Sequence, residues 1–279
     1  MSEISILLVG DTERREFGEA RAALEPLGRV SHAADTSSAI AELAADRVNP
    51  DVIVLAQAYP GQFSARAIDR LRRLAPLTRV LGLLGSWCEG EMRTGQPWPA
   101  TIRIYWHQWL PQCQRELDAL GKGYCPAWGL PMTATDEERL LRPAVELLVG
   151  ESGLVAIHSQ WYEMYCWLSE ACRRRGYSTI WLRPGGTIRL EGARAAIFDG
   201  TDCGRAEVDR LEQMAAALAP APVVALLDFP RIEDHDRAIA AGAGAVMSKP
   251  LLLDDLFWQL NRLLRDQPNS AISDHSNTP

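Results

Sequence analysis

Runs of lysine and arginine are missing from this 279-residue chain, whose 29 basic side chains are outnumbered by 36 acidic ones for a net charge of −7. The densest basic stretches, "DRLRRL" (69–74) and "CRRRG" (172–176), each fit one solvated helix face. Without a basic patch, non-specific binding to nucleic acid or to an anionic membrane surface is excluded as the main activity. The six cysteines, Cys88, Cys113, Cys125, Cys166, Cys172 and Cys203, include no C-x-x-C pair. That argues against a zinc ribbon and a disulfide framework, and suits a reducing compartment. No stretch approaches the ~20 apolar residues a membrane span needs. "MSEISILLVGD" also lacks the basic start and long apolar run of a secretory signal. The expectation is a soluble, cytoplasmic protein.

Hydrophobic content of 47% and charged content of 23% are ordinary for a globular protein. The length accommodates two domains of roughly 100–150 residues each. Short apolar runs alternate with helical patterns from the start. "ISILLVG" (4–10), "RVSHAA" (29–34), "PDVIVLAQ" (50–57) and "TRVLGLLG" (78–85) read as strands. Residues 13–28, 37–48 and 64–75 between them read as helices, closed by Gly28 or opened by serines. After an irregular stretch, "TIRIYWHQW" (101–109) reads as a fifth strand and "PQCQRELDAL" (111–120) as a closing helix.

The second half repeats this order. "GLVAIHS" (153–159), "YSTIWLRP" (177–184), "GARAAIFDG" (192–200), "PVVALLDF" (222–229) and "GAVMSKP" (244–250) are its strands. "GGTIRLEG" (185–192) is too short and glycine-rich for the helix expected between its second and third strands. Continuous apolar strands separated by helices predict α/β domains: doubly wound, five-stranded parallel sheets covered on both faces. The expected division is a domain at 1–121, a linker at 122–151 with a helix over "TDEERLLRPAVELLVG", a second domain at 152–267 and a disordered tail at 268–279.

"PVVALLDFPRIEDHDRAIAAGAGAVMSKPLLLDDLFWQL" and "PDVIVLAQAYPG" carry a resemblance to the receiver domain of two-component response regulators, a flavodoxin-like (CheY-like) fold. Repeated, it covers about four-fifths of the chain. The resemblance implies an aspartate nucleophile after the third strand and an acidic pair for Mg²⁺ after the first. It also implies a Thr or Ser after the fourth strand and a Lys after the fifth.

In the first half the acid pair has become Gly10 and Asp11, the nucleophile Ala56, the hydroxyl residue Leu84, and the Lys-Pro Trp106 and His107. In the second half Asp199 stands at the phosphoacceptor position and Lys249 at the lysine. There His158 and Ser159 replace the acid pair, and Leu227 the hydroxyl residue. With the acidic pair incomplete, no cofactor is expected and Mg²⁺ is disfavoured. Asp199 and Lys249 are expected to form a standing ion pair.

The stretch "GSWCEGEMRTGQPWPA" (85–100) departs from the resemblance, which places a helix there. Trp87, Cys88, Glu89, Glu91, Arg93, Trp98, Trp106, His107 and Trp109 could converge there near Asp11. Three readings compete: a loop stapled by buried tryptophans, a partner-binding surface, and a catalytic site such as a Cys88–His107 pair. In the second half Trp161, Tyr162, Tyr165, Cys166 and Trp167 offer more aromatic surface than one helix face buries, and Phe257 and Trp258 on the last helix raise the same point.

The reading favoured is a bacterial, stand-alone tandem of degenerate receiver-like domains. It has no enzyme activity or DNA-binding module and acts through protein partners such as a sensor kinase or another regulator, with room for a homodimer. The alternatives are a phosphoacceptor response regulator using Asp199, and a small-molecule sensor or enzyme using the tryptophan-rich crevice of the first domain.

Overall fold

The computed structural model describes residues 4–91, 95, 98, 101–121, 127–130, 134, 153–186 and 190–266. The expected linker helix, the tail beyond 266 and Arg93 lie outside these residues. The chain divides into two compact units, residues 1–146 with 229–236, and residues 147–228 with 237–279.

In the first unit, β1 (Ile4–Val9), β2 (Gly28–Ala33), β3 (Val52–Gln57), β4 (Arg79–Leu84) and β5 (Ile102–Tyr105) form one parallel sheet of order β2-β1-β3-β4-β5. Helices α1 (Gly18–Leu24), α2 (Thr36–Ala44), α3 (Ala65–Leu74) and α4 (Trp106–Gly121) cover it. Because successive side chains of a strand point to opposite faces, Ile6, Leu8, Val54, Leu81 and Leu83 pack with Phe17, Leu24, Trp106 and Trp109. Their neighbours Leu7, Val9, Ile53, Leu55 and Val80 pack on the other face with Ala39, Ile68, Leu71 and Trp98. Asp35 caps α2 through the Ser38 amide (2.7 Å), and Ser64 caps α3 through Ala67 (3.2 Å).

One boundary differs from the sequence reading. The fifth strand ends at Tyr105, and the residues expected to continue it to Trp109 already belong to α4. Trp106, Trp109 and Cys113 recur at helical spacing and are all buried in one core cluster. Helical burial of two indoles thus overrides the β preference of the aromatic run. Pro111 sits inside this helix and removes the amide that would bond the His107 carbonyl.

The second unit repeats the fold with β6 (Gly153–His158), β7 (Tyr177–Leu182), β8 (Ala193–Asp199), β9 (Val223–Asp228) and β10 (Ala245–Lys249), in the parallel order β10-β9-β8-β6-β7. Its helices are α5 (Tyr162–Arg174), α6 (Arg205–Leu218), the C-terminal part of α7 (Ile232–Ala240) and α8 (Leu253–Arg265). Among the described residues between β7 and β8 there is no helix, as the glycines there predict. Val155, Ile157, Ile197, Val224, Leu226 and Met247 pack against α5 and α8, and Ala156, Phe198, Ala225, Leu227 and Val246 against α6 and α7.

Both units therefore have the flavodoxin-like, doubly wound fold. In such sheets the carboxyl ends of the central strands line the ligand crevice. Phe257 is buried in the second core with the Arg175 guanidinium 4.8 Å over its ring, so it is not free for a partner surface. No helix among the described residues is long and apolar enough to cross a membrane.

Candidate functional site

Asp199 is the last residue of β8, and Lys249 the last of β10. Lys249 is one of only two lysines in a chain that otherwise uses arginine, so the cation at this strand end is a compact ammonium and not a guanidinium. Its Nζ lies 2.6 Å from Asp199 Oδ1, 2.7 Å from the Gly200 carbonyl and 3.1 Å from Asp228 Oδ1. The first two contacts are hydrogen bonds, and the Asp228 contact is an ion pair.

The other carboxylate oxygen is also occupied. His158 pairs with Phe198 in the sheet, which sets Ser159 level with Asp199. The Ser159 hydroxyl donates to Asp199 Oδ2 at 2.7 Å and accepts the Trp161 amide at 3.1 Å. Asp199 and Ser159 are both buried. The loop after β8 is pinned by Glu207, which accepts from the Thr201 amide (2.9 Å), the Thr201 hydroxyl (2.8 Å) and the Cys203 amide (3.1 Å).

The remaining positions of the receiver pattern point elsewhere. The His158 ring is stacked on Phe198 (centroids 4.9 Å apart) beside a cavity of about 230 Å³. Burial and then the Arg210 charge hold its pKa down to about 4, so it is neutral. Leu227 is buried in the α6 core. The donor set does not fit a divalent cation. His158 and Ser159 bring no carboxylate after β6, the serine donates to Asp199, and Asp228 is ion-paired with Lys249. Among the described residues no group of three His, Cys, Asp or Glu side chains is placed to hold a metal.

The corresponding place in the first unit is filled differently. Gly10 has φ of +113°, and a Cβ there would lie 2.8 Å from the Ala56 carbonyl, so this backbone excludes an acid at that position. Asp11 is exposed, while Ala56 and Leu84 are buried and apolar. The polar group at the end of β3 is Gln57, whose Nε2 lies 3.2 and 3.3 Å from the oxygens of Glu91. Glu91, itself buried, is ion-paired with Arg103 of β5. Glu16 is likewise buried and takes the Ser86 amide (2.8 Å) and hydroxyl (2.9 Å). A Cβ on Gly85 would meet its carboxylate at 2.5 Å, which is why a glycine leads into this loop. Gly95 bonds the Glu91 carbonyl at 2.8 Å.

Of the loop residues expected to converge, the structure splits the set. Cys88 bonds the Gln57 carbonyl (3.4 Å), whereas His107 Nε2 pairs with Glu89 Oε1 (2.9 Å), so the Cys88–His107 contact is replaced by two separate ones. Burial pushes the Cys88 thiol up to about 12. Trp98 is buried and donates to the Phe63 carbonyl (3.1 Å), and Trp106 and Trp109 belong to the core. Trp87 is exposed. Sequence reasoning missed Gln57, Glu16, Arg103 and Asp228. The signal for Gln57 was a lone amide closing an otherwise apolar strand.

No protein-family model matches the chain, and no curated protein matches it. Among solved structures it is similar to the receiver domain of the Francisella response regulator 1452, at 15% identity and a TM-score of 0.36 over 40% of this chain and 97% of that one. A response regulator from Thermotoga maritima gives 14% and 0.34 over 41% and 99%. A two-component system response regulator/GGDEF domain protein gives 10% and 0.33 over 94% and 98%.

Proposed function

We propose that this chain is a tandem pseudo-receiver that signals through protein–protein contact without being phosphorylated. The observation that carries the reading is the network in which Ser159 and Lys249 each hold one oxygen of Asp199, with Lys249 also bonded to the Gly200 carbonyl and ion-paired with Asp228. A phosphoryl group on Asp199 would bring two negative charges beside Asp228 with no metal ligands to hold a compensating cation. At 4 Å each unit-charge repulsion costs about 4 kcal/mol at an effective dielectric of 20. The first domain offers no acceptor, since Ala56 has no nucleophile and Gln57, Glu91 and Arg103 fill the crevice. No Mg²⁺ cofactor and no catalytic step are assigned. Cys88, the candidate nucleophile, is a buried thiol bonded to Gln57.

The partners this reading requires are proteins, either a sensor kinase, another regulator or a second copy of the chain. The test is intact-mass spectrometry after incubation with acetyl phosphate and Mg²⁺. The reading expects the unmodified mass. An adduct of one phosphoryl group, absent from Asp199→Ala, overturns it in favour of a phosphoacceptor.

A further inference from the structure

The aromatic residues that open α5 divide into two groups. Tyr162, Tyr165 and Trp181 pack on one another, with centroids 5.2 to 6.0 Å apart. Trp161 and Trp167 join no such ring cluster among the described residues and remain 67% and 44% exposed. Trp161 stands at the N-cap of the helix in extended backbone, and Met164 and Trp167 follow within it three residues apart. With Glu163 they line an open groove of about 450 Å³ whose floor is Asp199 and Lys249. Two exposed indoles lining one groove are the kind of apolar surface that marks a contact site.

Charge decides what fits. Lys249 is already bonded to Asp199 and the Gly200 carbonyl and ion-paired with Asp228, which lowers its pull on an incoming anion. Asp199 and Asp228 flank that single ammonium, and Glu163 adds a third carboxylate to the groove lining. The half-positive charge of the α5 N-terminus offsets only part of the excess. Indole faces add negative potential that favours a cation within about 6 Å. A planar guanidinium matches both features, because it stacks on aromatic rings and forks onto a carboxylate.

We propose that the Trp161–Trp167 groove is the docking site for an arginine side chain presented by a partner protein, with the guanidinium against the indoles and bonded to Glu163. This rests on the reading of the chain as a contact-based signalling protein and names the chemistry of that contact.

The test is a ¹H–¹⁵N titration of the full chain with a Gly/Ser peptide carrying one arginine, the indole signals being assigned with Trp161→Phe and Trp167→Phe. Saturable shifts of both indoles are expected, at least about tenfold weaker with the citrulline counterpart, since each 1.4 kcal/mol of lost charge interaction is tenfold. Glu163→Gln, at an exposed position that leaves the fold intact, is expected to weaken binding severalfold.

No saturable shift, or equal binding of the citrulline peptide, overturns the proposal. Tighter binding of a glutamate peptide makes the groove an anion site, and tighter binding of tetramethylammonium a small-molecule cage; either result also overturns it. A chain that stays unphosphorylated but ignores the arginine peptide loses this inference alone. One that takes a phosphoryl group yet binds the peptide loses only the broader reading.

Discussion

Ser159 immediately follows β6 and Asp199 closes the adjacent β8, and the serine hydroxyl donates to Asp199 Oδ2 across 2.7 Å. The receiver pattern puts a metal-binding carboxylate in this neighbourhood. A hydroxyl there gives the aspartate a proton donor instead of a metal, and Lys249 holds its other oxygen at 2.6 Å. The pair thereby becomes a structural element of the second domain.

Breaking that pair from one side leaves a buried charge. Lys249→Met is expected to cost about 3 kcal/mol by calorimetry of the full chain, the usual penalty for one uncompensated buried ion. Adding Asp199→Asn removes the stranded charge and should restore most of the loss. Additive losses in the double variant would show that the two residues do not act as a pair.

His158 makes stability depend on pH. Its pKa is held near 4 in the folded domain against an ordinary 6.5, so the unfolded chain takes up the proton first as pH falls. Stability contributed by the neutral ring is therefore whole above pH 6.5, declines between 6.5 and 4, and is gone below. The full loss is up to about 3 kcal/mol. The difference in unfolding free energy between wild type and His158→Phe, followed across that range, should carry this slope. A flat difference would place the ring in water.

Cys88 should be chemically silent. With its thiol pushed up to about 12, the thiolate fraction at pH 8 is about one in ten thousand. Among the five cysteines of the described residues, iodoacetamide should label the half-buried Cys166 first and reach Cys88 only on unfolding, as peptide mass spectrometry will report. Rapid labelling of Cys88 in the folded chain would revive it as a nucleophile.

Arg103 neutralises Glu91 inside the first domain. Arg103→Met should destabilise that domain by about 3 kcal/mol, and Glu91→Gln combined with it by less. Hydrogen exchange of the β4 and β5 amides distinguishes this local loss from a global one.

The two sheets were legible because each strand is an apolar run closed by glycine, proline or a charge, and because the order repeats. The fifth strand was misjudged where "YWHQW" satisfies both periods; only Cys113, a turn further on, settles the helix. Asp199 and Lys249 could be read from strand ends. The part played by Ser159 could not, because a register shift between β6 and β8 at Leu154 and Val155 sets which residue stands opposite Asp199. Gln57, Glu91 and Arg103 come from three separate segments, and no local spacing announces a contact among them.

The most direct measurement is a ¹H–¹⁵N spectrum of the full chain titrated with beryllofluoride and Mg²⁺, read at the amides of Ser159, Gly200, Leu227 and Lys249. A site closed on itself predicts that these signals stay where they are at every ratio. A magnesium-dependent second set of signals, absent in Asp199→Ala, would show a working phosphoryl pocket and contradict the account.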